Sequence, residues 1–131
     1  MSMNSCGQNL LCNDFKEGSF TLTSFGNSPI ISKVVRNSNS HIETITELPE
    51  EMKGLNIPMK YYVNIEWITE CSYKMTYDGT KMQLNPLLIS YNESGGILVE
   101  LLEIKGNCFF YKSSFKLNGQ DYELKGKLCK D

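Results

Sequence analysis

A chain of 131 residues with 40% hydrophobic content suffices for one hydrophobic core and is short for two. Its formal net charge of -2, from 13 basic and 15 acidic side chains, gives no overall attraction toward nucleic acid or an anionic membrane surface, and no apolar run of about 18 residues is present to span a bilayer. Five cysteines without a CxxC pair or a His/Cys cluster argue against a zinc site and for disulfides formed in an exported, oxidising setting, periplasmic or extracellular.

Residues 1–14 are rich in Asn, Ser and Gly and lack periodicity, so they read as a flexible N-terminal arm, with Cys12 a candidate tether and a single β-domain expected over 15–131. The opening Met1-Ser-Met-Asn-Ser-Cys6 holds no basic segment followed by an apolar one. The expectation is a protein whose export signal has been removed, with Cys6 a spare thiol rather than a lipid-anchored start.

Phe15-Lys-Glu-Gly18-Ser-Phe20-Thr-Leu22 opens the first strand, with Phe20 and Leu22 on one face, and Gly26-Asn-Ser-Pro29 makes the turn that follows. Ile30 to Arg36 and His41 to Leu48 flank Asn37-Ser-Asn-Ser40 and read as a hairpin. Leu48-Pro-Glu-Glu-Met-Lys-Gly54 has the proline, following acids and terminal glycine of one short helical turn, with Glu50 and Glu51 placed to complement its N-terminal dipole.

The stretch from Tyr61 to Tyr77 carries the clearest alternation. Val63, Ile65 and Trp67 share one face, and so do Tyr73, Met75 and Tyr77; a turn over Thr69 to Cys71 sets Trp67 against Tyr73, Ile65 against Met75 and Val63 against Tyr77. Asp78-Gly79 as a two-residue loop would then pair Tyr77 with Thr80, Met75 with Met82 and Tyr73 with Leu84. Pro86 interrupts this run, implying an edge or bulge before a short strand over Leu87 to Tyr91, and residues 92–96 read as a loop.

The last third is a meander: Ile97 to Lys105, Cys108 to Leu117 and Gln120 to Leu128. Asn118-Gly119 is the strongest hairpin signal and opposes Phe115 to Tyr122, Tyr111 to Gly126 and Phe109 to Leu128. Continued outward, the same register brings Cys108 opposite Cys129 at a non-hydrogen-bonded position, where side chains stand closest, and so predicts a disulfide there. Cys12 and Cys71 are the expected second pair, leaving Cys6 free. A two-residue turn at Gly106-Asn107 turns Glu100 inward near Ser113, whereas a three-residue loop turns Val99 and Leu101 inward instead.

These features describe an all-β protein of eight or nine antiparallel strands in up-and-down order, closing into a small barrel, with a strongly curved open sheet as the alternative. Phe15-Lys-Glu-Gly18-Ser-Phe20 resembles the Gly-x-Trp opening of lipocalin-like (calycin-type) and fatty-acid-binding barrels, with Phe20 in the tryptophan's place. From Cys12 to Phe20, through Trp67-Ile-Thr-Glu-Cys71-Ser-Tyr73, to the final meander, the chain is similar to a group of small uncharacterised exported bacterial proteins, some of which carry a DNA topoisomerase label. The resemblance implies export and a lipocalin-like barrel; a β-domain of 131 residues has no room for topoisomerase machinery.

Candidate chemistry is sparse. His41, the sole histidine, lies beside a turn and is expected to be solvated. No Gly-x-Ser-x-Gly elbow and no Cys-His constellation is present, and Ser94-Gly95-Gly96 precedes a strand rather than a helix, so it reads as a turn and not a phosphate loop. Lys112, Lys116, Lys125 and Lys127 form an outward, solvated face, and Asn92-Glu-Ser94 matches a glycosylation sequon. The aromatic interior, Trp67 with Tyr73, Tyr77, Tyr111 and Tyr122, together with Glu100, is the one feature that reads either as core or as pocket, because buried tyrosine hydroxyls need partners that a ligand with a polar end can supply. The expected function is therefore non-enzymatic, with no metal or cofactor: an interaction or structural module, or alternatively a lipocalin-like binder of a small apolar ligand.

Overall fold

A computed structural model describes residues 10–131; Cys6 and the rest of the arm through residue 9 lie outside the described residues. The chain forms an eight-stranded antiparallel barrel, closed and strictly up-and-down: β1 (Gly18–Ser24), β2 (Ile31–Asn37), β3 (Ser40–Glu47), β4 (Lys60–Thr69), β5 (Ser72–Tyr77), β6 (Ile97–Lys105), β7 (Cys108–Leu117) and β8 (Gln120–Lys130). β8 returns to β1 with Phe20 opposite Lys130 and Ser24 opposite Gly126, and this closure leaves no unpaired sheet edge. Alternation drives the arrangement: on β2, Ser32, Val34 and Arg36 face inward while Lys33 and Val35 face out, and on β7 Phe109, Tyr111 and Ser113 are the buried set.

Two of the predicted hairpin registers hold. Trp67 opposes Tyr73, Ile65 opposes Met75 and Val63 opposes Tyr77, with a bulge between Trp67 and Thr69 leading into the turn. Asn118 and Gly119 both take positive φ, 52° and 78°, and the ladder runs unbroken from Leu117–Gln120 to Cys108–Cys129. Cys108 and Cys129 are bridged, with Cα atoms 4.0 Å apart, and Cys12 is bridged to Cys71.

Four expectations need correction. The Asp78-Gly79 hairpin does not form: Asp78 Oδ1 instead accepts from the Thr80 amide and hydroxyl, and the chain runs on into a helix. That helix, α1 (Pro86–Glu93), replaces the predicted strand over Leu87–Tyr91. Asn85 caps it by accepting the Leu88 amide at 2.9 Å, and Pro86, which has no N–H to give a ladder, suits the first helical turn. Glu100 faces outward beside Lys112, because a bulge between Leu101 and Glu103 shifts β6 by one residue and turns Val99 into the core. Finally, residues 12–14 do not behave as a loose arm. Cys12–Phe15 is a 3-10 turn with Cys12 and Phe15 both buried.

That turn plugs one end of the barrel. Phe15 is fully buried against Phe20 and Phe109, with ring centroids 6.0 and 5.4 Å away. At the opposite, wide end lie the long connections, including the short helical turn Glu50–Met52 and α1. Glu51, expected to serve the helix dipole, accepts a hydrogen bond from Ser28 and ties two of these connections together.

A candidate binding cavity with a charged floor

Between plug and α1 the barrel is hollow, holding a partly open cavity of about 310 Å³. Its floor is built from β2 and β3. A two-residue turn, Ser38-Asn39, pairs Asn37 with Ser40 and therefore sets Arg36 opposite His41, both on the inward face. Arg36 is 4% exposed. Its Nη1 donates to the Phe15 carbonyl at 3.1 Å, its Nη2 to the Tyr73 hydroxyl at 3.0 Å and its Nε to His41 Nδ1 at 3.3 Å. The guanidinium also lies over the Tyr73 and Phe20 rings, 4.8 and 5.8 Å from their centroids. The plug, the floor and the aromatic wall are thus joined through one side chain.

His41 is 5% exposed, contrary to the expectation of a solvated turn residue; the tightness of the turn puts the position next to it inside the barrel. Burial lowers its pKa below the ordinary value and Arg36 adds to this, while Glu43 opposes both. Nε2 has no hydrogen-bond partner among the described residues, and the Glu43 carboxylate stands 3.8 Å from it. The other Glu43 oxygen accepts from Ser32 Oγ at 3.3 Å.

The walls above are mainly apolar: Leu22, Ile45, Met75, Ile97 and Val99, with Tyr61, Tyr77, Tyr91 and Phe115 in a chain of tilted ring contacts at 5.1–6.2 Å. Burial raises the pKa of Tyr77 and Tyr111, so both phenols stay un-ionised. Tyr111 lies flat across Gly126, where a Cβ would overlap its hydroxyl and stand 2.7 Å from the Thr23 carbonyl. α1 covers the wide end with Leu88 buried beneath it. Asn92 fastens the helix by standing in for a strand: its Oδ1 accepts from the Tyr77 amide at 2.8 Å, and its Nδ2 donates to the Tyr77 carbonyl at 2.9 Å.

No protein-family model, curated protein or solved structure matches this chain. The chemistry of the cavity is therefore the guide to its use.

Of the residues expected from sequence, Tyr73, Tyr77 and Tyr111 line the cavity and Trp67, Glu100 and Tyr122 do not. Trp67 sits at the plugged end, donating Nε1–H to the Ser38 carbonyl at 2.7 Å and packing on Tyr73, with Lys16 Nζ 4.8 Å from its ring centroid. Tyr122 is 44% exposed, since β1 pairs only with residues 126–130 of β8 and the hairpin tip projects past the rim. Glu100 is outside with Lys112, which also approaches Glu123 at 3.7 Å, while Lys116 pairs with Asp121. Arg36, Glu43, Tyr61 and Tyr91 were not singled out from sequence. The available signal was parity: His41 and Glu43 share the inward phase with Ile45, as Arg36 does with Val34.

Among the described residues no three His, Cys, Asp or Glu side chains converge as metal ligands, and no helix is long and apolar enough to cross a membrane. The paired cysteines are compatible with an oxidising environment.

Proposed function

We propose that this protein is an exported, lipocalin-like binder of one small, mainly apolar molecule with a polar end, held in the barrel interior. The observation that carries the reading is the hollow, apolar-walled space of about 310 Å³ ending on a buried polar floor. It is roughly twice the volume of an apolar cavity of about 150 Å³ known to accept benzene, which sets the ligand at about two rings in size. The test is displacement of an uncharged apolar fluorophore, N-phenyl-1-naphthylamine, supported by native mass spectrometry for a co-purifying ligand. Met75→Trp, which grows a side chain from the wall into the cavity, should abolish binding while far-UV circular dichroism keeps its β signature. Equal dye binding by both proteins would defeat the reading. Quenching of Trp67 is a poor reporter, since that ring lies beneath the floor.

A second reading, an interaction module, is favoured by an outward apolar strip in which Val35, 61% exposed, pairs with Ile42, and Ile42 with Tyr62. Val35→Lys with Ile42→Lys would remove association with a partner and leave dye binding unchanged.

A further inference from the structure

The cavity floor has a definite hydrogen-bonding polarity, and it comes from Arg36. A guanidinium carries donors and no acceptor, so the Nε–H···Nδ1 contact at 3.3 Å and the Nη2 contact to the same atom at 3.2 Å require Nδ1 of His41 to present its lone pair. The neutral ring then holds its proton on Nε2. That N–H is buried and without a partner among the described residues. Glu43 Oε1, an acceptor, is 3.8 Å away, beyond direct hydrogen-bonding reach. The pair is therefore one fixed donor beside one fixed acceptor, at a separation that a single oxygen bonding to each at about 2.8 Å can bridge.

We propose that this pair is the head-group subsite of the cavity and that it selects an un-ionised hydroxyl, a phenol or alcohol oxygen that accepts from His41 Nε2–H and donates to the Glu43 carboxylate. The inference rests on reading the barrel interior as a ligand site and names the class of ligand. A carboxylate would bring a second negative charge against Glu43, while Arg36 stands behind His41 with its contacts made to His41, Tyr73 and Phe15. An ammonium would satisfy Glu43 and meet the His41 N–H head-on. An ether would satisfy His41 and offer Glu43 nothing. Only a group with donor and acceptor on one atom answers both, and the aromatic wall above favours a phenol over a long alkyl chain.

The probes are 4-hexylphenol, 4-hexylanisole and 4-hexylbenzoate, matched in their apolar part and titrated calorimetrically into the intact protein at pH 7. The phenol should bind roughly tenfold or more tightly than either of the others, because each of those leaves one buried group unanswered. Glu43→Gln should narrow the gap between phenol and benzoate by about tenfold. His41 is the sole histidine, so its ring nitrogens can be read without ambiguity by ¹⁵N nuclear magnetic resonance. The free protein should show the Nε2–H tautomer, and the phenol should move the Nε2 resonance. Benzoate binding as tightly as phenol, phenol and anisole binding equally, or an Nδ1–H tautomer would overturn this inference and leave the binding reading standing. If neither the three probes nor the fluorophore binds, the binding reading falls with it.

Discussion

The two ends of the barrel are built on opposite plans. At the plugged end three hairpins close in two-residue turns, between Asn37 and Ser40, Thr69 and Ser72, and Lys105 and Cys108, and both disulfides lie there. At the wide end only Asn118-Gly119 is tight, and the other connections, 25–30, 48–59 and 78–96, are long. The contrast explains how a buried guanidinium is tolerated. Taking a charge out of water costs several kcal/mol unless its donors are placed well, and a rigid, cross-linked floor places them. The wide end is held by single side chains such as Asn92, and on the proposed reading it is where a ligand would enter.

The sharpest way to break this contrast is to cut the covalent ties. Replacing Cys12 and Cys71 together by alanine should cost about 4 kcal/mol for a sequence separation of 59, and replacing Cys108 and Cys129 about 3 kcal/mol for a separation of 21, both read from urea unfolding under oxidising conditions. A loss under about 1 kcal/mol for either pair would show that the plugged end does not depend on its bridges.

Arg36→Met should follow, at about 2–3 kcal/mol, since it leaves the Phe15 carbonyl and the Tyr73 hydroxyl without their charged donor. The same variant frees the His41 tautomer, which ¹⁵N shifts would report.

Acid should act on the same floor. The native pKa of His41 is depressed, by burial first, while the unfolded ring keeps its ordinary value. The unfolded state therefore binds a proton first as pH falls. Stability from this group is complete above about pH 6.5 and declines below it toward the native pKa, with a slope approaching 1.4 kcal/mol per pH unit. The charged groups acting on the ring are Arg36 and Glu43, and the depressed carboxyls Glu51, Asp78 and Asp131 titrate below this window. Urea midpoints between pH 5 and 7 should slope for the natural protein and flatten for His41→Gln.

At the wide end the effects should be smaller. Asn92→Ala should cost about 1–2 kcal/mol and speed hydrogen exchange at Tyr77 and along α1, with the plugged end unchanged. Glu100→Gln, on the outer face with Lys112, should change stability by less than about 0.5 kcal/mol and leave binding unaltered.

What was legible from sequence depended on how local the deciding interaction is. Asn118-Gly119 adopts its positive-φ turn without help from the rest of the barrel, so the β7–β8 register and the Cys108–Cys129 bridge follow from counting alone. The Trp67–Tyr73 register is likewise settled within one hairpin by six large side chains that must share a face. The tertiary structure decided the rest. Asp78-Gly79 also carries a hairpin signal, but Met75 finds its partner in Ile97 from β6, and Asn85-Pro86 then starts a helix that a short-range pattern does not weigh against a strand. The β6 bulge, which sends Glu100 out and Val99 in, has no marker in the β6 sequence pattern. Arg36, His41 and Glu43 are three ordinary polar residues in sequence. They become a floor because the Ser38-Asn39 turn and the Phe15 plug bring inward-facing positions together and exclude water, and that desolvation exists only in the closed barrel.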